Sequence, residues 1–268
     1  MGTSTSSKGS PSGVQFDPPW ISDIAQKIEP GIVAAKMPVA ISSAARFGGA
    51  RRKLSEYLRS GQQASLKSSV ARYVRRGLGG SARAVSRLRI PIAASVAIWS
   101  AFQDILNREA PENGEEDWVA KILASENQIV ALEEILIKQV VPDGGTVDEE
   151  SCRQSIAFAL SEFERENPDV GIENYNEAAV IAIIELFLSR EIFSRYILDM
   201  GQRLEQMDIS EMPRREKEIM GYIRAALSVK LRQSVHGERR RYTRKEMTTM
   251  MINVMRETFE VFEEEEYD

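Results

Sequence analysis

A strongly basic segment, residues 46–89, restricts most how this chain can fold. Twelve of its residues are Arg or Lys and one, Glu56, is acidic, whereas the 268-residue chain has a net charge of -5. This segment, called the basic island below, therefore carries about +11 and leaves about -16 on the remainder. Because opposite charges attract, the island is expected either to dock on the protein's own acidic helices or to bind an anionic partner.

The apolar residues of the island recur at helical spacing, and glycines divide them into short groups. A first helix is predicted to end at Gly61 and a second at Gly77, and Ser81 is a candidate N-cap for a third short turn. The cationic side chains fall largely off the apolar stripes, so they are expected to face outward. The apolar stripes contain Leu54, Tyr57, Leu58, Leu66, Val70, Tyr73 and Val74, and the outward-facing cations are Arg51, Arg52, Arg59, Lys67, Arg72, Arg75 and Arg76.

The rest of the chain is also predicted to be helical, because apolar residues recur every three to four positions and no strand pattern is convincing. Asn174 is a candidate cap for the most apolar helix, 175–207, which is expected to form the centre of the core. The other predicted helices are 20–28, a helix opened by Pro91, a long helix over 115–141, a helix opened by the capping box Thr146–Glu149, a helix from Pro213 to near Gly237, and a last helix from the capping box Thr243–Glu246 to Phe262.

The fold class is therefore all-α, a helical bundle with a disordered N-terminal arm and an acidic C-terminal tail. Residues 1–19 are rich in Gly, Ser and Pro and cannot bury enough surface to order themselves. A helical N-terminal part, 20–110, contains the basic island. A break at 111–114 separates it from a C-terminal bundle, 115–262, and residues 263–268 form the acidic tail.

The inventory of reactive side chains is short. The chain has one cysteine, Cys152, and one histidine, His236, which exclude an intramolecular disulfide and a Cys/His metal site and fit a reducing, cytoplasmic compartment. No run reaches the ~18 apolar residues of a membrane span, so no membrane is expected. Cys152 is best explained as a small buried residue and His236 as a helix-terminal residue.

Catalytic motifs are not found. The glycines at 77, 79 and 80 before Ser81 suggest a phosphate cradle at a helix N-terminus, but helix caps explain them better. Acidic pairs such as Glu133 and Glu134 are typical of a solvated face. The sequence therefore predicts a protein that is not an enzyme, with no catalytic residue, cofactor or metal. A second basic run, 238–241 with Arg244 and Lys245, fits phosphate contact or a solvated loop equally well.

Two stretches resemble the B component of the Qat anti-phage defence systems. They are the opening MGTSTSSKG leading to PPW at 18–20, and RFGGAR at 46–51 with YVRRGLGG at 73–80. The resemblance covers roughly the first ninety residues. It implies a component without a catalytic motif, which works beside an ATPase, a QueC-like deazaguanine synthase and a TatD-like nuclease.

The resemblance gives the N-terminal arm a role. A deazaguanine synthase activates a carboxylate with ATP and lets an amine attack it, so a terminal amine can replace ammonia. After removal of Met1, the amine of Gly2 is unobstructed, and slim residues follow it. We therefore expect the QueC-like partner to bind the arm and to attach a deazaguanine-type group through an amide. The arm residues of this site are Gly2, Thr3, Ser4, Thr5 and Ser6.

The basic island has two alternative candidate functions. In the first, the protein is an adaptor, and the island holds the partner enzyme or the ATPase. In the second, the island binds nucleic acid, with cations on phosphates and Tyr57 and Tyr73 nearby. The contact residues for either function are Arg51, Arg52, Lys53, Arg72, Arg75 and Arg76.

Overall fold

The computed structural model describes residues 45–107, 118–141, 147–201, 210–235 and 242–264. Within these ranges the regular elements are helices and no strand occurs, so the all-α prediction is confirmed. The predicted arm at 1–19, the predicted helix at 20–28 and the break at 111–114 lie outside the described residues.

The first half of the described chain contains the helices of the basic island and one long core helix. Helix α4 begins two residues before Pro91, which lies buried in its first turn. The elements are α1 (Gly48–Ser60), α2 (Gln63–Arg72), a π-helix (Tyr73–Leu78), α3 (Ser81–Arg87) and α4 (Arg89–Asn107).

The second half adds six α-helices and one short 3₁₀ turn. The predicted capping box at the last helix is confirmed: the Thr243 N–H donates to Glu246 Oε2 at 2.9 Å, and the Glu246 N–H donates to Thr243 Oγ1 at 3.3 Å. The elements are α5 (Trp118–Ala124), α6 (Gln128–Val140), α7 (Val147–Glu166), the 3₁₀ turn (Ile172–Asn174), α8 (Glu177–Met200), α9 (Met212–Ser234) and α10 (Arg244–Glu264).

Helix α8 lies at the centre of the bundle, as its composition predicts. It packs against α4, α7 and α9, and Ile184, Phe187 and Leu188 are fully buried in its middle. A helix that is apolar on most of its faces must be covered on most sides. The helices around α8 are therefore amphipathic, and α8 forms the centre of the hydrophobic core.

The N-cap of α8 is Asn176 and not Asn174. Residues 172–174 are already ordered in the 3₁₀ turn, whereas Asn176 has an extended backbone and its side chain accepts from the Ala179 N–H at 3.0 Å. Gly201, with φ +67°, follows the last residue of α8. The predicted end near Met207 was wrong, because a glycine with positive φ ends the helix earlier.

The predicted long helix over 115–141 is two helices. Helix α5 ends at Ala124, and Asn127 begins α6 with an extended backbone and a side chain that accepts from the Val130 N–H at 3.2 Å. Asn is a favoured N-cap because its side chain satisfies an amide that lacks a helical partner. The near-heptad spacing of the apolar residues hides this break, because Ile122 of α5 and Leu132 and Leu136 of α6 are all buried.

Helix α10 returns the C-terminal part of the chain to the basic island. It packs against α2, α3, α4, α9 and the π-helix, and one hydrophobic cluster contains buried residues from α1 as well as from α10. The division into parts at 20–110 and 115–262 stays a prediction. Among the described residues no single helix is long and apolar enough to cross a membrane; α3 and part of α4 meet that test only together, across a 65° bend.

Candidate functional site

The first part of the basic island folds as a helical hairpin of α1 and α2. Gly61 has φ +72°, and its N–H donates to the Tyr57 carbonyl at 2.7 Å, so it stops α1 as predicted. A Cβ at position 61 would lie 2.8 Å from Nη1 of Arg215 in α9. Gly61 therefore both ends the helix and allows α9 to approach the turn.

The second helix of the island does not stop at Gly77. Helix α2 passes into the π-helix, which contains Gly77 and ends before Gly79, with φ +86°. A Cβ at position 77 would lie 2.6 Å from two carbons of the Phe47 ring. Gly77 is thus a contact position, and the prediction of a helix stop there was wrong.

Phe47 fixes the chain where it enters the described fold. The residue is buried, its ring stacks on Tyr73 with a centroid distance of 5.8 Å, and it lies against Gly77. The guanidinium of Arg46 lies 4.8 Å from the ring centroid and that of Arg51 lies 5.8 Å from it. Cation–π contacts of this kind are favourable at partly buried sites. The point at which the N-terminal segment joins the described fold, at Phe47, is therefore held in place by other residues of the island.

The island is joined to the C-terminal end of α8 through Asp199. The Tyr73 hydroxyl donates to Asp199 Oδ2 at 2.9 Å, and Arg51 Nη2 donates to the Asp199 carbonyl at 2.8 Å. A cation at the C-terminal end of a helix is favoured by the helix dipole. Burial raises the pKa of Tyr73 well above its ordinary value, and the charge of Asp199 adds to that effect, so the phenol stays a donor.

A second joint connects α1 to α9. The Tyr57 hydroxyl donates to Glu218 Oε2 at 2.5 Å, and the same oxygen accepts from Arg215 Nη1 at 2.9 Å. The Arg215 guanidinium also lies 5.1 Å from the Tyr57 ring centroid. Burial and the bond to Glu218 raise the pKa of Tyr57 to about 12, while the Tyr57 hydroxyl and Arg215 lower the pKa of Glu218. The phenol is therefore protonated and the carboxylate ionised at neutral pH.

A buried hydroxyl pair lies between these two joints. Ser69 Oγ donates to the Ala50 carbonyl at 2.7 Å and lies 2.7 Å from the Tyr196 hydroxyl of α8. The Tyr196 ring meets Tyr73 edge to face at 5.1 Å. Buried polar atoms that are satisfied in this way stabilise one packing of the helices. The three joints together make the island part of the core.

The glycine turn before α3 already holds a carboxylate. The Ser81 N–H donates to Glu263 Oε1 at 3.2 Å, and a Cβ on Gly80, with φ +96°, would lie 3.4 Å from the same oxygen. Ser81 is the first residue of α3 and makes no side-chain cap, so its predicted role as N-cap was wrong. The anion at this helix N-terminus is the chain's own Glu263, which belongs to α10 and not to a separate tail.

The six predicted contact cations differ in exposure. Arg52 and Arg76 are exposed, as are the neighbouring Arg59 and Lys67. Arg51, Lys53, Arg72 and Arg75 are half-buried. Among these, Lys53 binds Glu56 Oε2 at 2.6 Å and Arg72 Nε donates to Ser68 Oγ at 3.2 Å. The outward-facing set on the island is therefore Arg52, Arg59, Lys67 and Arg76.

The tyrosines of the island face the core. Tyr57 is fully buried and Tyr73 nearly so, so neither ring offers a face on which a nucleic-acid base could stack. Sequence reasoning missed the partners of the island residues: Asp199, Arg215, Glu218 and Glu263 lie more than a hundred residues away from Tyr73, Tyr57 and Ser81. No local pattern distinguishes these charged residues from their exposed neighbours.

The structure describes only some of the remaining predicted residues. Gly2, Thr3, Ser4, Thr5 and Ser6 lie outside the described residues, as do His236 and the basic run 238–241. Arg244 and Lys245 are exposed in the first turn of α10, and Cys152 is fully buried in α7. The described part of the chain contains no group of three His, Cys, Asp or Glu residues that could hold a metal ion.

Comparison with known proteins identified a protein family. The model of a family described as "Qat anti-phage system associated protein QatB" matches residues 79–262. The match lies mainly over α3–α10, and so mostly outside the first ninety residues that carry the resemblance. No curated protein and no solved structure matches the chain.

Proposed function

This chain belongs to the QatB family and is a component of an anti-phage defence system, and from that premise we propose that it is a non-enzymatic adaptor. In this proposal it acts in the cytoplasm, presents its N-terminal arm to a QueC-like enzyme of the same system, and uses the island to hold that enzyme. The system's ATPase and TatD-like nuclease are further candidate partners.

The observation that carries the proposal is how the island is built. Its tyrosines and Arg51 bind α8 and α9, and Phe47 is clamped against the π-helix, so the island is a fixed base. The 44 residues before Ala45 are connected to the fold at that base. A fixed base with exposed cations suits a protein that places a peptide segment in front of a partner, because preorganisation lowers the entropic cost of association.

The proposed reaction at Gly2 is an amide bond formation. After Met1 is removed, the Gly2 nitrogen attacks the ATP-activated carboxyl group of a deazaguanine acid held by the partner. The bond to the activating group breaks, that group leaves with its electron pair, and the amine loses a proton. Gly2 suits this attack because it has no side chain to obstruct the carbonyl.

Intact mass measurement tests the modification. The protein is co-expressed with the QueC-like partner, in cells that make the deazaguanine acid, and compared with the protein expressed alone. We expect a mass increase on the N-terminal peptide that requires the partner. Deletion of residues 2–10 should abolish the increase, and an insertion after Ser10 serves as the length control. A mass equal to that of the Met-less chain under both conditions contradicts the proposal.

Charge reversal tests the role of the island. The double variant Arg52→Glu/Arg76→Glu changes two exposed island cations, and Lys138→Glu/Lys217→Glu changes two exposed cations elsewhere. In co-purification with the partner enzyme, we expect the first variant to lower the recovered complex at least tenfold and the control to leave it unchanged. Equal recovery of both would exclude the island as the docking surface.

The four exposed cations also support the alternative, a nucleic-acid-binding module. Phosphate contacts of this kind weaken steeply with salt. Binding of a duplex or single strand that falls between 50 and 200 mM salt, on the order of tenfold or more, and that is lost in Arg52→Glu/Arg76→Glu, favours the alternative. A partner complex that withstands this salt range and needs residues 2–10 favours the adaptor.

A further inference from the structure

A groove lies beside the first half of α8, far from the island. It has a volume of about 650 Å³ and is walled by α8 on one side and by the end of α9 with Val235 on the other. Its lining is mainly apolar, and Ala178 and Ala182 lie one helical turn apart along one wall. The lining residues are Glu177, Ala178, Ile181, Ala182, Glu185, Arg232 and Val235.

Two residues of the groove lining, Glu177 and Arg232, carry charges of opposite sign. Glu185 is bound by Arg224 Nε at 2.8 Å, and the same guanidinium binds Glu166 at 2.7 Å. Glu177 and Arg232, by contrast, make no ion pair or side-chain hydrogen bond with another described residue. An occupant of this groove should therefore offer an apolar stripe with one acidic and one basic side chain beside it.

We propose that residues 20–28 of the same chain occupy this groove as a short helix. Their apolar residues, Trp20, Ile21, Ile24 and Ile28, fall on one helical face. As a helix, residues 20–28 span ~12 Å, the same length as the nine residues of the α8 wall from Glu177 to Glu185, at 1.5 Å per residue. Small side chains such as Ala178 and Ala182 let two helices approach closely.

The charges of the segment complement those of the groove. Asp23 and Lys27 are four residues apart, so on a helix they lie side by side, at ~6 Å between their Cβ atoms. Because both lie on one flank of that helix, they face a single wall in the proposed arrangement, with Lys27 opposite Glu177 of α8. Glu177 thereby gains a partner of opposite sign.

The connecting chain is long enough for this arrangement. Sixteen residues, 29–44, separate Ile28 from Ala45, and at ~3.3 Å each they reach ~50 Å. The distance to cover is about the length of α8 from Asp199, beside the root of the segment, to Glu177, or ~33 Å. Docking would leave residues 2–19 as the projecting arm, and it does not depend on the modification of Gly2.

Hydrogen exchange of the full-length protein, expressed without partners, tests the docking. Amides of residues 20–28 should exchange at least tenfold more slowly than in a synthetic peptide of residues 18–30. Ala178→Trp fills the groove from an exposed position and should abolish this protection. Val229→Trp, exposed on α9 outside the groove lining, is the control and should not.

A disulfide pair provides a second, independent measurement. Ile24→Cys with Ala182→Cys should form an intramolecular disulfide on mild oxidation, whereas Ile24→Cys with Val130→Cys, which is exposed on α6, should not. Unprotected amides at 20–28 in the wild-type protein would overturn the proposal. So would protection that survives Ala178→Trp, or a crosslink that forms only between two copies of the chain.

Discussion

Tyr57 in α1 and Glu218 in α9, 161 residues apart in the chain, share a hydrogen bond of 2.5 Å. The phenol is fully buried and the carboxylate lies at the edge of the core. This bond ties the first described helix to one of the last, so the free energy of unfolding of the whole fold depends on it.

Removal of the Tyr57 hydroxyl should lower stability. In Tyr57→Phe the hydrogen bond to a charged group is lost, and we expect a loss of about 1.5–3 kcal/mol in the free energy of unfolding, measured by urea denaturation. Tyr242→Phe is the matched control, because its hydroxyl makes no hydrogen bond to a described residue, and it should change stability by less than ~0.5 kcal/mol. Equal effects of the two variants would contradict a specific role for this bond.

A methyl group at Gly77 should be poorly tolerated. Gly77→Ala places a Cβ about where the Phe47 ring lies, and overpacking of this kind costs about 1–3 kcal/mol. Gly221→Ala in α9 is the control, because a Cβ there meets nothing within 4 Å, and it should stabilise the protein by about 0.5–1 kcal/mol. Denaturation of Gly77→Ala, Phe47→Ala and the double variant Phe47→Ala/Gly77→Ala measures the coupling, and a strictly additive cycle would disprove the contact.

The charge on Glu263 should stabilise α3. Glu263→Gln keeps an acceptor for the Ser81 N–H but removes the negative charge at the helix N-terminus, which is worth about 0.3–1 kcal/mol at low salt. The loss should shrink at ~1 M salt, where charges are screened within ~3 Å. Glu260→Gln, an exposed site on the same helix, should show neither effect. A loss independent of salt would point to packing and not to charge.

Acid should weaken the link between α7 and α9. The Arg224 guanidinium binds Glu166 and lowers the pKa of that carboxyl below its ordinary value of 4.5. Since the folded-state pKa is the lower one, Glu166 stabilises the fold above pH ~4.5, and this stabilisation is lost as the pH falls through the folded-state pKa. The difference in the free energy of unfolding between wild type and Glu166→Gln should thus be constant above neutrality. It should decrease below pH ~4.5. A flat Glu166 curve would refute the link.

Local signals in the sequence predicted much of the fold. Gly61 with its positive φ and the Thr243–Glu246 capping box act within four residues, and both are placed as predicted. The errors occur where two signals of the same kind compete. Asn174 and Asn176 are both candidate caps, and only the 3₁₀ turn before α8 decides between them.

The candidate site was less predictable, because its geometry depends on contacts between distant residues. Helical spacing places Tyr57 and Tyr73 on the inner faces of the island, but it does not identify Glu218 and Asp199 as the groups that accept their hydrogen bonds. Gly77 shows the same limit. In a sequence, a glycine at this position is typical of a helix end. Only the position of Phe47 shows that its ring packs closely against Gly77.

The return of α10 to the island has a consequence for synthesis. Ser81 and Glu263 are 182 residues apart, so at ~5–20 residues per second the ribosome needs roughly 10–40 s between them. Ser81 and the rest of the island are therefore synthesised well before α10 exists to complete the packing around them. An enzyme that needs only the terminal peptide can act during translation, whereas one that docks on the finished island must wait until the chain is released.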